Sequence, residues 1–199
     1  MHRLKLQPQD LATANSRPQG GNASGLNHDH LKTLKELLQR QWQQQTPTWF
    51  LTIQWTPAPY EFATASKHAS HFRNKLLTHL YACNLKQLPR PQDRCRLVWF
   101  HERALDSNDR LIYHSHLHLT QPPQVQSAHH LQWIIAKKIA PGFDCLKNLQ
   151  SKQNPGVVIC PWNYDRHAFY NLKDYYRFCQ HPDPDLILDY RISDLISSK

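Results

Sequence analysis

Leu31, Leu34, Leu38 and Trp42 recur three to four residues apart among lysines and glutamines, the spacing of one helix face, and Pro47 stops the pattern. An amphipathic helix over residues 29–46 is therefore expected. Residues 49–55 then alternate and are rich in aromatic and β-branched side chains, which predicts a strand closed by Pro57 and Pro59. Phe62, Ala65, Phe72, Leu76 and Leu80 return to helical spacing and end ahead of Pro89 and Pro91. Residues 96–102 and 110–119 read as two strands flanking Leu-Asp-Ser-Asn-Asp, a turn composition that points to an antiparallel hairpin. Val125, Ala128, Leu131, Ile135 and Ile139 mark a further helix that Pro141 and Gly142 terminate. A buried strand over 156–161 and a late helix over 167–178 follow, and the acidic and apolar end, residues 183–196, is ambiguous. This order implies an α+β fold with a central, mainly antiparallel sheet flanked by helices.

Composition bounds the function. Residues 1–28 hold few large apolar side chains and are expected to form a flexible tail, leaving 47–199 as one domain behind the N-terminal helix. No apolar run is long enough to span a bilayer and the start lacks a signal-peptide core, so a cytoplasmic location away from membranes is expected. With 24 lysines and arginines against 15 acidic residues, net charge +9, and 14 histidines besides, the first partner to consider is nucleic acid. The five cysteines are scattered and form no C-x-x-C pair, which suggests reduced thiols and no zinc module. Gly20 and Gly25 have phosphate-loop spacing, but Leu26 and Asn27 stand where that loop needs lysine and a hydroxyl, so no built-in NTPase is expected.

Three groups carry candidate chemistry. On a strand, His114, His116 and His118 share one face while Tyr113, Leu117 and Leu119 share the other. Two imidazoles two residues apart can lean onto one divalent ion, and Glu102, ending the preceding strand, is the candidate hard oxygen ligand. Tyr170 and Lys173 lie one helical turn apart, with His167 and Arg177 on the same stripe, and Phe169, Leu172, Tyr176 and Cys179 on the core-facing stripe.

The ordered set Phe50-Leu51-Thr52, Glu102, His116-Leu117-His118 and Tyr170-x-x-Lys173 resembles the HUH endonucleases, in particular the single-tyrosine rolling-circle replication initiator (Rep) branch. The resemblance covers about residues 48–178 and implies an HUH nuclease fold, a relative of the ferredoxin-like fold. By that likeness, His116, His118 and Glu102 would hold Mg²⁺ or Mn²⁺. Tyr170, assisted by Lys173, would attack single-stranded DNA at an origin or hairpin to give a 5′-phosphotyrosine and a free 3′-hydroxyl. His114 is expected beside the ion rather than on it. Thr52, Gln54, Arg94, Arg96, Lys137, Lys138, Arg166 and Arg177 are the candidate DNA contacts, with Trp49, Trp55, Trp99 and Trp162 as candidate stacking rings. A separate helicase is the expected partner in replication. Two other readings stay open: a single-strand transposase of the same superfamily, for which Tyr176 and Gln180 have suitable spacing, and a nucleic-acid-binding module without catalysis.

Overall fold

One antiparallel sheet organises the chain, with strands in the order β2-β3-β1-β4: β1 (Trp49–Ile53), β2 (Leu97–Leu105), β3 (Leu111–Leu119) and β4 (Val157–Pro161). The structure, a computed structural model, describes residues 23–146, 156–172 and 188–195. The architecture is α+β, with α1 (Ala23–Gln44), α2 (Phe62–Leu80), α3 (Ala128–Ile134) and the short α4 (Tyr164–His167) around the sheet. A π-helical turn, Ile135–Ile139, prolongs α3.

Alternation along the strands divides the apolar residues between two cores. On one face Leu51, Ile53, Trp99, Leu117 and Leu119 bury against Phe72, Leu76 and Leu77 of α2 and against Leu131 and Ile135. On the other, Val98 and Phe100 pack under Leu31, Leu34, Leu38 and Trp42 of α1, joined by Ala168, Leu172 and Leu188. The helix expected over 29–46 thus forms a covering layer of the sheet. It begins at Ala23 and overlaps the expected tail, because a packed face nucleates the helix and each added residue then needs only one further hydrogen bond. Residues 1–22 lie outside the described residues.

Local caps set other boundaries. Ser127 accepts the His130 amide and starts α3 there, after Val125. Asn163 accepts the Arg166 amide, so the late helix begins at Tyr164, breaks after His167 and resumes as a 3₁₀ turn at Tyr170–Leu172. The rest of the expected segment, 173–178, lies outside the described residues. The hairpin strands run up to the pair Leu105↔Leu111. There the Asp106 carboxylate accepts the Asn108 and Arg110 amides at 2.8 and 2.9 Å, and Asp109 takes a left-handed φ of 57°.

The segment 188–195 runs along the outer edge of β2. The Asp189 and Asp194 amides donate to the carbonyls of Trp99 (2.9 Å) and Leu97 (2.7 Å), while the Trp99 amide donates to Ser193 Oγ (2.8 Å). Asp189 also ends a buried polar chain. Trp55 Nε1–H donates to Ser115 Oγ at 2.8 Å, so the serine hydroxyl donates to His101 Nδ1 at 2.8 Å, and His101 Nε2–H is left to donate to Asp189 Oδ2 at 3.0 Å. Burial alone would raise the Asp189 carboxyl, but hydrogen bonds from His101 and Ser66 outweigh it and hold the group below its usual 3.8.

A carboxyl depressed in this way adds stability above its unfolded value and loses it as pH falls through the folded one. Asp189→Asn is therefore expected to cost about 1.5–3 kcal/mol at pH 7, the range for a charge-assisted hydrogen bond. The gap from wild type in thermal melts should narrow as pH drops below 3.8.

Candidate metal centre and adjoining cleft

Strand register gives the three histidines of β3 different neighbours. His114 faces Glu102, His116 faces Phe100 on one side and Thr52 on the other, and His118 faces Val98 and Phe50. A carboxylate is therefore within reach of the first two imidazoles, whereas the third stands among apolar side chains.

Glu102, His114 and His116 form a cluster whose ligand atoms all lie within 4.8 Å of one another and which can hold a metal ion. His116 Nε2 is 2.8 Å and His114 Nε2 3.2 Å from the same oxygen, Glu102 Oε2, and the two nitrogens are 3.1 Å apart. Donors at right angles on an ion with bonds of about 2.1 Å lie about 3.0 Å from each other, so the triangle has the dimensions of one octahedral face. Glu102 and His116 are buried and His114 is half-buried, which leaves one side of the cluster open. Thr52 Oγ1 is 3.2 Å from His116 Nδ1. A hydroxyl can accept the Nδ1–H of an imidazole whose Nε2 is on a metal, or donate to Nδ1 when Nε2 carries the proton, so Thr52 orients the ring in both states.

His118, expected on the ion, is instead built into the core, while His114, expected beside it, completes the donor set. His118 is 1% exposed, and its ring stacks on Trp42 with centroids 4.9 Å apart and planes at 11°. Trp162 Nε1–H donates to His118 Nδ1 at 3.1 Å. An indole can only donate, so the neutral ring carries its hydrogen on Nε2, 3.0 Å from the Asn171 amide nitrogen. A half-turn of that amide brings Oδ1, a buried oxygen otherwise without a partner, to accept it. Burial, then the neighbouring His116 and His167, holds this imidazole well below its ordinary 6.5.

Tyr170 comes to the cluster by way of the 3₁₀ turn. Its ring meets His116 edge-on with centroids 5.5 Å apart and is 39% exposed. Together with Phe50, Thr52, Val158, Cys160, Arg166 and His167 it lines a cleft of about 430 Å³. His167 stacks on Phe50 at 4.4 Å, and its Nδ1 accepts the Asn163 amide at 2.8 Å. The neutral ring therefore turns Nε2–H toward Cys160 Sγ, 3.8 Å away. Burial raises the Cys160 thiol against the pull of Arg166, and burial with Arg166 lowers His167, so the pair stays a thiol and a neutral imidazole. That leaves the phenol as the candidate nucleophile of the cleft. Lys173, Arg177, Tyr176 and Gln180 lie outside the described residues.

The other expected DNA contacts disperse. Arg166 is exposed at the cleft, and Gln54 is exposed past the end of β1. Arg94 is buried, with its guanidinium 2.8 Å from Asp194, which also takes Arg73; its charge is spent on the fold and cannot meet a phosphate. Arg96 is half-buried beside β2, its amide bonded to Thr120 Oγ1. Lys137 and Lys138 are exposed on the π turn, in the layer on the far face of the sheet from the cluster. Trp49, Trp55 and Trp99 are core residues, and Trp162 is half-buried with its indole N–H on His118, so none of the four offers a free stacking face comparable to Tyr170.

Calorimetric titration with Mn²⁺ should give one ion per chain. His114→Ala and Glu102→Gln should weaken it more than Thr52→Val, which should cost about 10–100-fold, as partners of metal ligands do. His118→Asn should lower thermal stability and leave the Mn²⁺ affinity within about threefold of wild type.

Among the described residues no helix is long and apolar enough to cross a membrane. Compared with protein-family models, curated proteins and solved structures, the chain matches none of them.

Proposed function

We propose that the chain is a metal-dependent, site-specific endonuclease and ligase of single-stranded DNA, of the HUH type, in which Tyr170 is the nucleophile. The observation that carries this reading is the meeting of the Tyr170 ring with His116, at 5.5 Å, beside a two-histidine, one-carboxylate donor set. A phenol and an exposed cation, Arg166, line one cleft large enough for a nucleotide, and two of its lining residues, Thr52 and Tyr170, touch His116 of the ligand cluster. The net charge of +9 favours the polyanionic partner.

Glu102, His114 and His116 would hold Mg²⁺ or Mn²⁺, and the imidazole pair leans toward Mn²⁺ as the softer of the two. Such an ion supplies Lewis-acid polarisation of a phosphoryl oxygen. Arg166 takes a phosphate oxygen and holds the strand against Val158 and Phe50. The Tyr170 oxygen forms the new bond to phosphorus as the bond to the 3′-oxygen breaks, and the phenolic proton leaves while the 3′-oxygen gains one. An unperturbed phenol titrates near 10, so nearby positive charge is needed to stabilise the developing phenolate. Lys173, three residues on, is the further cation proposed for that task. The phosphotyrosine keeps the energy of the phosphodiester, so the same site rejoins ends by reversal. Initiation of rolling-circle replication of a mobile element, with unwinding by a separate helicase, is the process such a reaction serves.

The test is a denaturing gel of the protein with a 3′-labelled single-stranded oligonucleotide pool and Mn²⁺. Wild type should form a protein–DNA species resistant to denaturant, His116→Ala should form about a hundredfold less or below, and Tyr170→Phe none. An undiminished adduct in Tyr170→Phe, or its loss in Tyr176→Phe alone, would refute the assignment of the nucleophile. Salt-sensitive retention without cleavage by wild type would make the chain a binding module.

A further inference from the structure

A second cleft, of about 580 Å³, opens between the outward stripe of α2 and the segment around Arg191. Lys67, His68, Ser70, His71 and Asn74 line one wall and Arg191 the other, and among the described residues no carboxylate lines it. Lys67 and Arg191, both basic and both exposed, line the same opening. Among the described residues, the two carboxylates of the 188–195 segment are committed elsewhere: Asp189 to His101 and Asp194 to Arg73 and Arg94. Positive charge is therefore left without a counter-charge among the described lining side chains. His68 feels it, since burial, then Lys67, then His71, all disfavour its proton.

From this lining we infer that the cleft is a binding site for a phosphate-bearing ligand, clamped between Lys67 and Arg191. Arg191 offers the planar fork that meets two oxygens of one phosphoryl group, Lys67 a mobile point charge, and Ser70 and Asn74 neutral donors for the remaining oxygens. The site belongs to the α2 layer on the opposite face of the sheet from Glu102, His114 and His116, so it is independent of the proposed cleavage reaction.

Two sources share this chemistry, a free phosphorylated compound and a nucleic-acid backbone, and two probes separate them. Inorganic pyrophosphate and a twelve-residue oligothymidylate are each titrated calorimetrically into wild type, Lys67→Gln, Arg191→Gln and the double variant. A fifth protein, Lys32→Gln with Lys86→Gln, removes two exposed charges elsewhere. Each single variant should bind about tenfold more weakly and the double variant about a hundredfold, with unchanged melting temperature because both side chains are exposed. A loss seen with pyrophosphate alone assigns the cleft to a free phosphate compound. A loss that extends to the oligonucleotide, or appears with it alone, assigns it to the backbone. Equal affinity of wild type and the double variant for both probes, or an equal loss in the Lys32 and Lys86 control, overturns the site.

Discussion

The pairing of β2 with β3 is the constraint from which the rest follows. Leu105 closes the hairpin against Leu111, and a one-residue slip would turn every later side chain of β3 to the other face. In the observed register Glu102 stands opposite His114, the three histidines of β3 fall on one face with Tyr113, Leu117 and Leu119 on the other, and each face can be covered by its own helices. The turn holds this register through the two amides on the Asp106 carboxylate.

Because β3 is an interior strand, its two faces carry two polar systems that meet only through the backbone. His114 and His116 point to the open ligand cluster, while Ser115 between them points to the sealed chain from Trp55 to Asp189. The closed side anchors the strand that presents the ligands, and residues whose rotamers are locked from behind make sharper sites than residues on loops. His118 and Thr52 add to that rigidity from the ligand side, the first by stacking under Trp42 and the second by holding the His116 ring.

Much of the layout was legible in the chain. Alternation marked β1 and the hairpin, 3.6-residue spacing marked α2 from Phe62 to Leu80, and the histidine face followed from period two. Roles that depend on a long-range partner were not legible. The likeness to HUH endonucleases put His118 on the ion, yet what decides its role is Trp42, 76 residues earlier in the sequence. Arg94 looked like a free cation because Asp194 comes a hundred residues later. The role of His114 was within reach: counting back from the turn to a closing pair of leucines places it opposite Glu102.

The strip of chain from Leu188 to Leu195 has a significance beyond the ion pairs it makes. It occupies the hydrogen-bonding row of β2 that a bare border strand would present to a neighbouring molecule. It does so with mixed partners, two amides, a serine hydroxyl and an aspartate oxygen, instead of a regular ladder. A ladder could be extended by another strand, whereas this irregular hem cannot, so the same few residues that complete the sheet beside β2 also stop it from growing on that side.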